Sequence, residues 1–192
     1  MEKVILLTVP HSFCKYDSAY ERRCDRRALQ AAKVLANFFK NKKVMVISND
    51  SIDRKTLDTN RAQSRQTKYR KNITNILDKY DVLWVLDIHS FPNYDFGHGL
   101  NFVFLDNISP TTTIEYKIFN QILPDMENAA ILEGSLSNDI QYEARKKGIP
   151  SILIEVSERS ELLSTKELNK NMNLIAKQVY KYIDIKYNLH TD

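Results

Sequence analysis

Short apolar runs alternate along this chain with longer stretches in which apolar residues recur every three or four positions. The runs at Lys3–Val9, Lys43–Ser48, Val82–Ile88, Asn101–Leu105 and Ser151–Val156 are rich in Val, Ile and Leu, the pattern of strands covered on both faces. Between them, Leu29, Ala32, Leu35 and Phe39 share one helical face, as do Tyr69, Ile73, Ile76 and Tyr80. Further helical patterns cover Thr113–Leu123 and Asn138–Lys147, the second closed by Gly148 and Pro150 as stop signals. A last helix carries Leu168, Met172, Ile175, Val179 and Tyr182 on one stripe. Strands alternating with helices of this length predict an α/β fold, a mostly parallel, mixed sheet with helices on both faces in three αβα layers. There is no internal repeat, low-complexity tract or linker, so residues 1–192 read as a single domain.

Composition narrows the function classes. The 192 residues are 43% hydrophobic and 27% charged, which is ordinary for a globular protein able to bury its own core. The net charge of +4 is spread through every segment, whereas a nucleic-acid binder concentrates its basic residues into a stripe. No nucleic-acid partner is therefore expected, and the modest positive excess suits a small carboxylate-bearing substrate. No apolar run reaches the roughly 18 residues of a membrane span. The opening MEKVILLTVP reads as a strand rather than a leader, since it runs into polar sequence without a small-residue cleavage site. With only Cys14 and Cys24 as cysteines, a disulfide framework is not expected, and a cytoplasmic, reducing location fits.

The candidate chemistry gathers where strands end. The first strand leads into Pro10-His11-Ser12, the third into Asp87-Ile88-His89-Ser90, and the last into Glu155-Val156-Ser157-Glu158. In an open α/β sheet the carboxyl ends of parallel strands form the ligand-binding edge. Two histidines and a carboxylate converging there make the ligand set of a catalytic zinc ion, which keeps a fourth position for water. Taken singly, His11 or His89 reads equally as a hydrogen-bonded capping residue and Glu155 as a salt-bridge partner. Asp87 reads either as a group that orients an imidazole or as a strand cap. The segment Asp53 to Arg61 reads as a solvated loop, with Asp58 capping a helix that starts near Asn60. An Asn60-Arg61 pair at a helix start is also an anion site, because a guanidinium forks onto a carboxylate.

In this order, the VPHS, DTNR, LDIHS and GIPSILIEVSE segments resemble the N-formylglutamate amidohydrolase family, over roughly residues 4 to 158. That family is in turn similar to the zinc carboxypeptidases, so the resemblance implies a zinc-carboxypeptidase-like, phosphorylase/hydrolase-like fold. Carried over position by position, it implies His11 and His89 as Zn²⁺ ligands and Asn60 with Arg61 as a clamp on the substrate carboxylate. It also implies Arg54 as the residue facing the oxyanion and Glu155 as general base. Asp25 is implied as the third ligand, with Glu21 as alternative and Cys14 at the position where carboxypeptidases place a glutamate. The activity so implied is zinc-dependent hydrolysis of an amide bond next to a carboxylate. The neighbouring alternatives are a small metallocarboxypeptidase, a γ-glutamyl-peptide hydrolase and, from another class, a metal-free binding module.

Overall fold

A computed structural model of the chain describes residues 1–11, 25–40, 44–48, 59–91, 99–106, 113–134, 139–159 and 161–187. Six strands, β1 (Lys3–Val9), β2 (Val44–Ser48), β3 (Asp81–Phe91), β4 (Phe102–Asp106), β5 (Ala129–Glu133) and β6 (Ser151–Ser157), form one sheet in the order β2-β1-β3-β6-β4-β5. All neighbouring pairs are parallel except β4 with β6, so the sheet is mixed and mostly parallel, as the alternation predicts. Among the described residues five α-helices complete the layers: α1 (Arg26–Phe39), α2 (Lys68–Lys79), α3 (Ile114–Asn120), α4 (Asp139–Lys146) and α5 (Thr165–Tyr187). No helix among the described residues is long and apolar enough to cross a membrane.

The two sheet faces carry separate cores. One packs Ile5, Leu7, Trp84, Leu86, Ile88, Phe102 and Ile154 against α1, α3 and α5. On α1 the contact is made by Ala28, Ala31, Ala32, Leu35 and Phe39, a helical stripe whose small residues let the backbone approach the sheet. The other packs Val4, Leu6, Val82 and Val85 against Tyr69, Ile73 and Leu77 of α2 and Ile140 and Ala144 of α4.

Strand β3 contains an irregularity that decides which residues reach which face. Val4 pairs with Val82 but Ile5 pairs with Trp84, leaving Leu83 as an extra residue. Val82 lies in the α2/α4 core, while Leu83 and Trp84 both lie in the opposite one. The strand changes phase there, as a bulge requires. Beyond it Leu86 and Ile88 face α1, and Asp87 and His89 face the α2/α4 side.

Three expectations need correction. The helix expected to start near Asn60 begins at Lys68, where Thr67 accepts from the Arg70 N–H; a 3₁₀ turn at Ala62–Ser64 precedes it. The third strand runs on to Phe91, so Asp87, His89 and Ser90 lie within its ladder, not past its end. Strand β5 was not anticipated, because as a half-exposed edge strand it shows no apolar alternation. Asp58, named as that helix's cap, lies outside the described residues.

After α4, Gly148 adopts φ +71° and its N–H reaches the Arg145 carbonyl, while the Ile149 N–H returns to Ala144. This left-handed turn swings the chain into β6. A Gly148→Ala substitution meets no atom within 4 Å, so its cost is conformational. About 1 kcal/mol is expected, read as a thermal-midpoint drop of roughly 2–4 °C.

Candidate metal centre

The site forms where β1 ends beside the still-paired β3 and α1 begins. Thr8 of β1, Asp87 and His89 of β3, and Glu155 of β6 all project to the α2/α4 face, since their odd-and-even neighbours Leu7, Ile88 and Ile154 fill the opposite core. His89 and Glu155 are direct partners in the β3/β6 ladder. His11 follows β1 after Pro10, and Asp25 stands at the N-cap position of α1. A backbone bond from the Asp25 N–H to the His11 carbonyl, at 2.9 Å, joins the two segments.

Ligand atoms of His11, Asp25 and His89 all lie within 4.8 Å of one another. Asp25 Oδ2 is 3.3 Å from His11 Nδ1 and 3.2 Å from His89 Nδ1, and the two imidazoles meet edge to face with centroids 4.8 Å apart. The three residues are 2–4% exposed. Nitrogen and oxygen donors about 2.0–2.1 Å from one tetrahedral zinc ion stand roughly 3.3 Å apart, so the two imidazole-to-carboxylate spacings suit a shared ion. Two imidazoles and a carboxylate are also the donor types of a catalytic zinc site. The residues present therefore fit the metal.

Behind this triangle is a second layer of hydrogen bonds. Asp87 Oδ2 and the Asn60 amide nitrogen each lie 3.2 Å from His89 Nε2, so both border the ring nitrogen opposite the one that faces Asp25. Asp87 is itself held on both oxygens: the Thr8 hydroxyl donates to Oδ1 at 2.6 Å and the Asn60 amide to Oδ2 at 3.0 Å. Asn60 Oδ1 in turn accepts from the Ile140 N–H at 3.3 Å, at the start of α4. Of the two sequence readings of Asp87, this geometry favours the group that orients an imidazole.

The electrostatics favour positive charge at the centre. Burial pushes the Asp25 carboxyl up, but hydrogen bonds to His11 and His89, and their charges, outweigh it and hold the group well below the usual carboxylate range. Burial pushes His89 down, yet the Asp87 carboxylate, hydrogen bonds to Asp25 and Asp87, and the Glu155 charge raise it well above an ordinary histidine. Carboxylates facing buried imidazoles on several sides make a pocket suited to a cation.

A buried ion cluster supports the Asn60 arm. Arg70, fully buried on α2, donates to Asp139 Oδ2 at 2.8 Å and to the Thr59 carbonyl at 3.2 Å, and lies 3.0 Å from Glu143 Oε2. Arg65 also grips Asp139. The Asp139 N–H donates to the Asn60 carbonyl at 3.1 Å, and Thr59 Oγ1 to the Pro10 carbonyl at 2.7 Å.

Of the residues singled out in the sequence, the structure brings together His11, Asp25, His89, Asp87, Asn60 and Glu155. Arg61 is half-buried beside Asn60. Both ends of the Asn60 amide hydrogen-bond within the protein, to Asp87 and to the Ile140 N–H. Arg54, Glu21 and Cys14 lie outside the described residues. Sequence reading missed Thr8, Arg70 and Asp139. Arg70 had left a signal, since it sits on the apolar face of α2 with Ile73 and Leu77, where an unpaired arginine is not tolerated.

No family profile and no curated protein matches the chain in sequence. Several solved structures match in fold. A gene product of Agrobacterium tumefaciens superposes with a TM-score of 0.70 at 14% identity, over 93% of this chain and 89% of that one. An N-acetylmuramoyl-L-alanine amidase from Clostridium difficile 630 gives 0.60 at 15% identity, over 95% and 97%. The N-formylglutamate amidohydrolase of Ralstonia eutropha JMP134 gives 0.54 at 14% identity, over 95% and 94%. At such identities the likeness defines the architecture, and this chain has the fold on which that amidase and the amidohydrolase are built.

Proposed function

We propose that this protein is a zinc-dependent hydrolase of an amide bond next to a carboxylate, similar in activity to N-formylglutamate amidohydrolase. The observation that carries the reading is the buried His11–Asp25–His89 triangle with Asp87 behind His89. The fold it shares with an amidohydrolase and an amidase supports the same class.

His11, Asp25 and His89 would hold the ion. When bound, zinc supplies a Lewis acid for the amide carbonyl and makes water a nucleophile near neutral pH. The chain's own groups do the rest. Asp87 fixes the His89 ring through Nε2, so that Nδ1 is the atom turned toward the ion's place. Glu155, beside His89 in the ladder, takes a proton from the attacking water and delivers it to the leaving nitrogen, so that a neutral amine departs. Arg61 receives the substrate's carboxylate, with Asn60 fixing the segment that presents it. Arg54 is assigned to the oxyanion on the resemblance alone, a contribution of about 3 kcal/mol for such donors.

Metal analysis of the purified chain, followed by assays on formyl-amino acids, γ-glutamyl peptides, C-terminal peptides and muramoyl peptides, tests the reading. One zinc per chain and hydrolysis of at least one carboxylate-flanked amide are expected, both abolished by a chelator and restored by zinc. A chain that cannot be loaded with metal, and that binds such a compound without cleaving it, is instead a binding module.

A further inference from the structure

The start of α1 sets two demands on one residue. Asp25 occupies the N-cap position, where an aspartate ordinarily accepts from the first free N–H groups of its own helix. Its side chain makes no capping bond and turns to His11 and His89 instead. The first N–H of α1 is taken by a residue remote in sequence. Glu158, just beyond β6, accepts through Oε1 from the Arg26 N–H at 3.0 Å and from the Ser90 hydroxyl at 2.8 Å. The Glu158 N–H donates to the Phe91 carbonyl at 3.0 Å. One carboxylate oxygen thus ties the residue after Asp25 to the residue after His89. Arg27 adds a second tie, donating to the Ser157 carbonyl at 3.1 Å and the Arg159 carbonyl at 3.4 Å.

We propose that Glu158 is a positioning residue for the metal centre: by holding the Arg26 N–H and the Ser90 hydroxyl on one oxygen, it sets the spacing between Asp25 and His89. The assignment rests on the reading of the triangle as a metal site. Its physical basis is a shared anchor, since the oxygen that accepts from the Arg26 N–H also accepts from the Ser90 hydroxyl and so holds the segments bearing Asp25 and His89 together. The free N–H groups and dipole of a helix start attract the nearest anion. Here that anion is Glu158, and without it the start of α1 loses its anchor to β3, so that the spacing of Asp25 from His89 is no longer set. This differs from a loss of stability alone, because the geometry of two donors changes with it.

The test is a cobalt(II) titration of the full chain, read by its visible absorption and by competition with a chelator. Wild type, Glu158→Ala, Glu158→Gln and Thr113→Ala are compared. Thr113 caps α3, its hydroxyl accepting from the Tyr116 N–H at 3.1 Å, and controls for the loss of a bond at a helix start as such. Glu158→Ala is expected to bind cobalt about 10- to 100-fold more weakly, in the range of other outer partners of metal ligands, with an altered spectrum. Glu158→Gln, whose amide oxygen still accepts from Arg26 and Ser90, recovers most of the affinity, and Thr113→Ala lowers only the melting temperature. Wild-type affinity and spectrum in Glu158→Ala, or an equal loss in Thr113→Ala, overturns the positioning role. Absence of cobalt binding by the wild type overturns the metal reading itself, and the positioning role with it.

Discussion

A His89→Ala protein is expected to lose metal and hydrolysis together, whereas Glu155→Gln keeps the metal and loses turnover. His89 is both a proposed donor and the link through which Asp87, Thr8 and Asn60 set the site's orientation. Its removal takes one of three donors and leaves the buried carboxylates of Asp25 and Asp87 facing a cavity. Metal affinity should fall by more than the roughly 10- to 100-fold typical of outer partners. Glu155→Gln preserves size and the ladder position beside His89 but cannot accept a proton. A fall in kcat of about 10²- to 10⁴-fold, the usual worth of a positioned acid–base group, is expected at unchanged zinc content. Metal analysis and steady-state kinetics on the two proteins decide it. Full turnover in Glu155→Gln would remove Glu155 from the chemistry, and zinc retained in His89→Ala would remove the triangle.

Arg70→Met is expected to produce the largest loss of stability, about 3 kcal/mol, equivalent to a melting-temperature drop of roughly 6–12 °C. The guanidinium is fully buried and holds Asp139, Glu143 and the Thr59 carbonyl at once. Removing it strands a buried carboxylate, and the figure sits at the lower end for broken buried pairs because Arg65 still reaches Asp139. The sign with pH follows. Burial pushes Asp139 up, but hydrogen bonds and charge from Arg65 and Arg70 prevail and lower it below 3.8. A carboxyl lowered on folding stabilises the native state at pH values above its unfolded value. That contribution is lost as pH falls from about 4 through the folded value. Thermal unfolding between pH 7 and pH 3 should show this acid loss in the wild type and a smaller one in Arg70→Met. Equal acid losses in both would exclude Arg70 as the source of the Asp139 shift.

Much of the frame is visible in the order of residues. The buried runs of β1, β3 and β6 carry apolar side chains on both faces, so their positions follow from composition alone. Edge strand β5, with its half-exposed side chains, has no such pattern. The DTNR segment resembles a helix start because Asp and Asn are good caps, yet Thr67 takes that role and Asn60 is drawn into the interior by Asp87. Asp25 carries no local mark of its purpose; only the resemblance singled it out.

The chain by itself determined the α/β architecture, the two histidines next to strand ends and the acid that follows them in β6, because periodicity and residue type are properties of a linear string. Tertiary structure alone decided which face those groups occupy. The extra residue at Leu83 shifts β3 by one position, and with a side-chain period of two this one shift puts Asp87 and His89 on the side where Thr8, Asn60 and Glu155 also project. It also decided that Glu158 accepts from the first N–H of a helix beginning 132 positions earlier in the sequence, while Asp25 faces the histidines. Such pairings depend on which segments the fold makes neighbours, and separation along the chain carries no record of them.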